Sequence, residues 1–372
     1  MAGGGWSTLP ADLLREVSAR LSSDADHLHI HQVCPHWRAL TVPPVTYRPW
    51  VLAGRAGRSG LLPIGDYSLR LPRRGEQRMD VGAPLASLPY CCGASRGWLA
   101  LADDDRSPTR LALWEPLSNT EISLPCLSPL TRIYLSDDPL SSSNWIAIAS
   151  QLKGLIGQKT LFWRPGDAAW TVLYERGTPE ILNIAFHEGK VYYVGLNKHV
   201  IICDLNTRTG PSPKCIMICN AAFVLNEHCR SRCGRLHPMY DLHLVACNGD
   251  LLLVVLRQGS HPSQVEVYKP VWTPDRCLEI RERVMDLGDH SLFVGRGDTF
   301  ALSAKEYPAI KRNCVYYAHG PYKKHCWISV FHLESDVMEE VPYPEELKQD
   351  PTDWTPYVWF CLRKPLIKQQ GA

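Results

Sequence analysis

A small helical unit followed by an all-β propeller of five to seven blades, an α+β multidomain arrangement, is the fold class the sequence predicts, and three observations predict it. Helical periodicity of apolar residues is confined to roughly the first forty positions. Beyond residue 45, short apolar runs bounded by Gly, Asp, Asn and Pro replace it. Several runs also recur as one longer phrase: a polar turn, an apolar strand, a loop, a second strand and a polar exit.

The first element is "WSTLPADLLREVSARL", which places Leu13, Leu14, Val17 and Leu21 on one side of a helix and Glu16 and Arg20 as an i, i+4 pair. Pro10 suits the first helical position, where its missing N–H costs nothing, and Asp12 in the first turn agrees with the helix dipole. Ser23, Asp24 and Asp26 cap and open a second helix. In it, Ile30, Val33, Cys34 and Trp37 recur as an apolar stripe, and Pro35 breaks or kinks the helix after Cys34. Helices this few and short make a unit that needs a partner to cover its apolar faces.

The same stretch, "HLHIHQVCPHW", raises a metal question, because imidazole and thiolate are zinc ligands. On a helix, successive residues turn by about 100°, which puts His27, His31 and Cys34 on one side and His29 and His36 on the other. At most three could share one ion, and no fourth ligand is evident. These residues are therefore read as flanking a packed stripe, with no metal site.

"TVPPVTYRPW" is a Pro-rich break, and strand-type runs follow it. They are "GWLALAD", "RLALWEP", "WIAIAS", "TLFWRP", "WTVLYE", "ILNIAF", "KVYYVGL", "HVIICDL", "HLVAC", "DLLLVVLR", "QVEVYKP", "SLFVGR", "TFALSA", "CVYYA" and "WISVFHL". The repeated phrases are "HEGKVYYVGLNKHVIICDLNT", "CNGDLLLVVLRQGSHPSQVEVYKP" and "KRNCVYYAHGPYKKHCWISVFHLES". An antiparallel unit repeated at this spacing predicts face-to-face blades around an axis, whereas a sandwich ends near about 100 residues.

Two further motifs invite chemistry. In "CIMICNAAFVLNEHCRSRC", Cys215, Cys219, Cys229 and Cys233, with His228 and His237 beside them, could hold zinc. However, Cys215, Met217 and Cys219 alternate with Ile216 and Ile218, as in a strand buried on both faces, and the tighter CxxC knuckle is missing. The reading is buried or loop cysteines without metal. "GASRG" matches the G-x-S-x-G nucleophile elbow, which needs a helix after its serine. Here Gly97 runs into an alternating strand, so Ser95 is read as a turn residue feeding a blade. With no P-loop and no G-x-G-x-x-G before a helix, neither a catalytic residue nor a cofactor is expected.

Composition sets the remaining limits. The 372 residues are 45% hydrophobic and 21% charged, an ordinary globular balance, and a net charge of +2 gives no general reason to expect nucleic acid. Seven arginines between Arg48 and Arg78 face only Asp66 and Glu76, read as a solvated loop and edge. The start "MAGGGWSTLP" lacks the pattern of a signal peptide, so the fourteen cysteines are expected as thiols in a reducing compartment. "LLLVVL" falls far below the about 20 residues of a membrane span. Ala2 and the terminus "KQQGA" fit no lipidation pattern. The expectation is a soluble intracellular protein with no membrane partner, nuclear or cytoplasmic.

Two resemblances add to this. The ordered set Leu9-Pro10-x-Asp12-Leu13-Leu14, Val17, Leu21, Asp26 and Val33-Cys34-x-x-Trp37-Arg38 resembles the F-box, the module that docks on the Skp adaptor of cullin-RING ubiquitin ligases. That resemblance implies an F-box domain at 6–45 whose adaptor-binding residues are Leu9, Pro10, Leu13, Leu14, Val17, Val33, Cys34 and Trp37. "GASRGWLALADDDRSPTRLALWEPLSNTEISLP" and "DLGDHSLFVGRGDTFALSAKEYPAIKRNCVYYA" are similar to parts of the KIB-type propeller found in many plant F-box proteins. Leu287-Gly288-Asp289, Phe293-x-Gly295-Arg296, Ser303-Ala304 and Asn313-Cys314-Val315-Tyr316-Tyr317 match in order, and residues 205 to 245 depart most. This implies a propeller domain at 50–362 that captures an unidentified target protein through blade loops. Together they imply a non-catalytic substrate-recognition subunit of a Skp-cullin-F-box ligase. The alternative is a propeller hydrolase or ligand-binding protein with a chance F-box-like start.

Overall fold

The structure, a computed structural model, describes residues 5–21, 24–41, 49–55, 64–70, 79–80, 87–104, 107–128, 130–153, 157–178, 181–195, 197–205, 213–233, 239–257, 264–273, 277–319, 326–342 and 354–362. Three helices come first: α1 (Ala11–Arg20), α2 (Asp24–Val33) and α3 (Pro35–Leu40), after a 3-10 turn at Trp6–Thr8. The sequence placed Pro10 inside the first helix, but it is the N-cap, with Ala11 the first helical residue. Leu13, Leu14 and Val17 do not share a side. Leu14 and Ser18 turn inward while Leu13 and Val17 face solvent, because the inward row is the i, i+4 pair 14/18. The Glu16–Arg20 pair is present at 2.7 Å, on the surface.

The stripe of Ile30, Val33, Cys34 and Trp37 is likewise divided. Pro35 opens a new helix, and Cys34 is extended (φ −167°) as its N-cap, its sulfur accepting from the Trp37 N–H at 3.5 Å. Ile30 is therefore buried while Val33, at the end of α2, is exposed.

Strands follow in chain order. β1 (Pro49–Arg55), β2 (Ile64–Arg70) and β3 (Met79–Asp80) precede β4 (Tyr90–Ser95), β5 (Trp98–Ala102), β6 (Leu111–Glu115) and β7 (Thr120–Leu124). The second sheet is β8 (Leu130–Leu135), β9 (Ala147–Lys153), β10 (Gly157–Trp163) and β11 (Thr171–Thr178). The third is β12 (Ile181–His187), β13 (Lys190–Gly195), β14 (His199–Asp204) and β15 (Lys214–Asn220), followed by α4 (Ala221–Cys233). The fourth is β16 (Met239–Cys247), β17 (Asp250–Arg257), β18 (Gln264–Thr273) and β19 (Cys277–Arg283). The fifth carries β20 (His290–Val294), β22 (Phe300–Ser303), β23 (Cys314–Ala318), β24 (Cys326–His332) and β25 (Val337–Pro342), while β21 (Gly297–Asp298) leaves it to pair with β12. The last strand, β26 (Trp354–Cys361), returns to β1 and completes an eight-stranded sheet.

Five hydrogen-bonded sheets thus form a β-propeller, within the five to seven blades expected. By packing, the described residues form six apolar layers, because the two halves of the largest sheet meet only at Ile64–Tyr90 and face each other across one layer. The other five layers lie between successive sheets around the ring. Every apolar run read from the sequence lies on a strand, and the three repeated phrases are β13–β14, β17–β18 and β23–β24, central strands of their sheets. Three inner hairpins share one device. Arg96–Gly97, Glu188–Gly189 and Asn248–Gly249 each join two strands in two residues at positive φ, the type I′ turn that matches strand twist.

Two readings of the middle segment change. The helix α4 follows the point where helical pattern was expected to have ended; Asn220 caps it by accepting from the Phe223 N–H at 3.1 Å, and Ala221 and Leu225 anchor it one turn apart. β15 is also not buried on both faces. It is the outer strand of its sheet and leaves Ile216 and Ile218 half exposed. The arginine-rich stretch from 48 to 78 falls largely outside the described residues, and among those described no helix is long and apolar enough to cross a membrane.

A polar clamp ties three sheets together. Asp241 of β16 receives Lys198 at 2.8 Å and the Tyr317 hydroxyl at 3.0 Å, with the His243 ring 3.3 Å away. Asn183 of β12 donates to the Leu242 carbonyl at 2.8 Å and accepts from the Leu244 N–H at 3.2 Å. Burial opposes the Asp241 charge, but His243 and Lys198 outweigh it and hold the carboxyl well below the usual carboxylate range. The sign follows: a depressed carboxyl stabilises the fold fully above its unfolded pKa of about 3.9 and loses that contribution as pH falls through the folded value.

Asp241→Asn is expected to lower unfolding free energy by about 2 kcal/mol or more at pH 7. In denaturant melts the gap to the parent should stay level down to about pH 4 and narrow only below it; a gap already closing between pH 7 and 5 would contradict the assignment. Gly93→Ala tests the ring's tightness. A Cβ there would lie 2.3 Å from the Ile133 carbonyl oxygen of the neighbouring inner strand, so a loss of about 1–3 kcal/mol, read as a lower melting temperature, is expected.

Candidate functional site

Two surfaces qualify, one on the helices and one at the propeller's axis. The axis is occupied by the chain itself. Between β20 and β22 the run Gly295-Arg296-Gly297-Asp298-Thr299 enters the middle of the ring, where Gly297 and Asp298 pair in parallel with Asn183 and Ile184. Glycine is required there: Gly297 has φ +105°, and a Cβ would sit 2.6 Å from Val358 Cγ2 and 3.2 Å from Arg132 Nη1. Thr299 Oγ1 donates to the Ile184 carbonyl at 3.2 Å and also to that of Leu244. The segment thereby joins β12 and β16 to β4, through Asp298.

Asp298 Oδ2 accepts from Ser95 Oγ at 2.8 Å, and Ser95 Oγ accepts in turn from the Leu135 N–H at 3.2 Å. Both residues are buried. Burial pushes the Asp298 carboxyl up, against the opposing pull of Arg96, the Ser95 hydroxyl and two backbone N–H groups. Ser95 is therefore not a turn residue, as the sequence suggested. It ends β4 in a buried position, and the turn is Arg96–Gly97. The chain then enters β5 rather than a helix, and no histidine lines the site among the described residues, so the parts of a nucleophile elbow are not assembled around this hydroxyl.

Beside this pair opens a cleft of about 320 Å³, lined by Ser95, Arg96, Asp298, Phe300, Tyr307 and Trp359 among others. Trp359 is fixed by its Nε1–H donating to the Val294 carbonyl at 2.9 Å and by an edge-on contact with Phe293 at 5.2 Å. Aromatic walls with one buried acid and one exposed arginine suit a side-chain anchor. Of the lining residues, Ser95 was singled out from the sequence through "GASRG", whereas the aromatic walls Phe300, Tyr307 and Trp359 were not. The available signal was the glycine pair in "VGRGD", which marks close backbone approach.

On the helices, the residues expected to bind an adaptor lie around one unit but differ in presentation. Leu13 is 53% exposed, Val17 46% and Val33 54%, whereas Leu14 is fully buried. Pro10 is exposed, and Leu9, Cys34 and Trp37 are half-buried. Trp37 Nε1–H donates to the Trp6 carbonyl at 2.8 Å, and His36 Nε2 lies 3.2 Å from the Leu9 carbonyl, so the chain before α1 is held against α3. Gln32 Nε2 donates to the Pro116 carbonyl at 3.0 Å, linking α2 to the β6–β7 turn. Glu115 braces that turn, accepting from the N–H groups of Leu117 at 3.1 Å and Ser118 at 2.6 Å.

The metal candidates resolve differently. His31 is buried, His36 serves Leu9, and the His27 side chain lies outside the described residues. Cys215 and Cys219 are on β15, and His228 packs edge-on against Tyr268 at 5.7 Å. The side chains of Cys229 and Cys233, and all of His237, lie outside the described residues. Among those described, no three His, Cys, Asp or Glu groups gather as a metal site would require.

Comparison with known proteins places this geometry. The chain is similar to F-box protein SKIP23 of Arabidopsis thaliana, 25% identical over 353 residues that cover 81% of this chain and 80% of that protein. It is also similar to F-box protein At2g26160 of the same plant, 21% identical over 352 residues, covering 86% and 96%. The Cps50 (Swd1) beta-propeller domain of Myceliophteria thermophila superposes with a TM-score of 0.38 and 12% identity, over 81% of this chain and 89% of that one. The profile of the KIB1-4 beta-propeller family matches residues 66–338, from β2 into β25. Matched over most of its length by that profile, the chain belongs to the KIB1-4 beta-propeller family.

Proposed function

We propose that this protein is the substrate-recognition subunit of a Skp-cullin-F-box ubiquitin ligase, with residues 6–45 as the adaptor-binding F-box and 50–362 as the target-binding propeller. The observation that carries this reading is the outward exposure of three apolar side chains, Leu13, Val17 and Val33, on a helical unit too small to cover them. Relatives that align along most of the chain are named F-box proteins, which supports the same reading. In this reading Leu9, Pro10, Cys34 and Trp37 add to the docking surface, and the buried Leu14 contributes as packing.

The chain itself performs no chemistry in this scheme. It holds a target beside the ubiquitin-carrying enzyme, replacing a diffusional encounter with a local one. On the target side, the cleft between Arg96, Phe300, Tyr307 and Trp359 suits an aromatic or aliphatic anchor side chain, since buried pockets of this kind concentrate binding energy.

The test uses the exposed positions, which can be truncated without opening a cavity. Leu13→Ala with Val17→Ala is expected to weaken binding of purified Skp adaptor by about 2 kcal/mol or more, roughly thirtyfold, with the melting temperature nearly unchanged. Titration calorimetry on the full-length chain reads this. Binding at parental strength, with the fold intact, would overturn the assignment.

A further inference from the structure

The outer edge of the third sheet carries a second chemistry. Among the described residues, Cys203 of β14 and Cys215 of β15 are the one pair of cysteines that strand register sets directly opposite each other. The local sequence explains how. In an unbroken strand, Cys215, Met217 and Cys219 would share a face. A register shift between Ile202 and Cys203 instead pairs Ile202 with Met217 and Cys203 with Cys215, leaving Ile216 as the extra residue of a bulge. Met217 and Cys219 then pack toward the fourth sheet, while Cys215 turns to the opposite layer, where Cys203 is buried. The two thiols face each other across the strand pair, and the Cys215 thiol donates to the Met217 carbonyl at 3.7 Å.

We infer that Cys203 and Cys215 form an oxidation site, a dithiol that a peroxide converts to an intrachain disulfide. Directly opposed residues on antiparallel strands have Cα atoms about 4.5–5.5 Å apart, inside the span a disulfide needs. Access is asymmetric, since β15 is an outer strand with Cys215 half-buried and Cys203 fully buried beneath it. The facing Cys203 thiol lowers the Cys215 thiol below its ordinary value, against the effect of burial, and Cys203 is itself raised. Cys215 is thus the attacking thiolate and Cys203 the resolving thiol.

The steps balance with hydrogen peroxide as oxidant. The Cys215 thiolate attacks one peroxide oxygen, the O–O bond breaks, and the departing hydroxide takes up a proton to leave as water, giving a sulfenic acid. Cys203 sulfur then attacks Cys215 sulfur, its thiol proton joins the departing hydroxide as a second water, and the S–S bond forms. Two thiols are oxidised by two electrons and one peroxide is reduced to two waters. No other pair of described cysteines matches this arrangement. Cys91 and Cys92, though adjacent, project into different layers, and Cys219 faces Val200.

Cys126 supplies an internal control, because it is exposed, and burial with nearby Asp103 raises its thiol. In the reduced full-length protein at pH 7, Cys215 is expected to react with iodoacetamide at least tenfold faster than Cys126, despite being less exposed. After hydrogen peroxide treatment and blocking of free thiols, non-reducing peptide mapping should show Cys203 joined to Cys215, reversed by dithiothreitol. Cys203→Ser should leave Cys215 as a dimedone-reactive sulfenic acid. Slower alkylation of Cys215 than of Cys126, or oxidation of Cys126 with Cys203 and Cys215 still free, would overturn the inference; both readouts use the unmutated chain and so do not depend on a variant folding.

Discussion

Closure of the ring by β1 and β26 is the contact on which the rest of the structure depends. Trp50, Val51 and Leu52 pair with Phe360, Trp359 and Val358, roughly 300 positions away. Alternate side chains of a strand point to opposite faces, so this one pair serves two layers. Trp50, Leu52, Val358 and Phe360 pack against β4–β6, whereas Val51 and Trp359 pack against Phe293, Tyr316 and Ile328. Loop-closure entropy rises only with the logarithm of length, while an open ring would leave two aromatic-rich layers in water at about 25 cal/mol per Å² of apolar surface. Closure wins because both layers form at once.

A closed ring creates an axis, and an axis lined by backbone must be filled with groups that satisfy it. This chain fills it with its own residues 295–299. Two carboxylates near the inner strands, Asp241 half-buried and Asp298 buried, then behave in opposite ways. Asp241, beside Lys198 and His243, keeps its charge firmly, whereas Asp298 is pushed toward its neutral form by burial that Arg96 and Ser95 only partly offset. The first clamps neighbouring sheets. The second forms the polar end of an otherwise aromatic cleft, and Gly297 is the position that lets the segment pass Val358 and Arg132.

How much of this was legible in the sequence depended on whether a feature was local. Apolar runs such as "DLLLVVLR" announce central strands because both of their faces are covered, and paired turn residues such as Asn248–Gly249 announce their own hairpin. Edge strands were harder. β7, β19 and β25 mix charges with apolar residues, as edges that resist pairing do, and β15 reads as a core strand because its exposed residues are isoleucines. The helix α4 was hidden by an apolar run continuous with β15. The cleft was not legible at all, since Ser95, Asp298 and Trp359 meet only through the ring. On α1, periodicity placed Leu13, Leu14 and Val17 together, but only packing could separate the inward Leu14 from the outward pair.

That separation bears on how recruitment would work. In an antiparallel blade the first and third turns lie at the same end. The β4–β5 turn at Arg96–Gly97 and the β6–β7 turn beginning at Pro116 are such a pair. The first lines the cleft, and the second receives Gln32 from α2. The helices that offer Leu13, Val17 and Val33 are therefore attached at the end of the propeller where the cleft opens. On the proposed reading, adaptor and target are held at one end rather than across the full depth of the ring. Effective concentration between tethered sites falls steeply as the span grows, so a target anchored there would meet the ubiquitin-carrying enzyme over a short reach. The braced Glu115–Ser118 turn would carry the geometry between them.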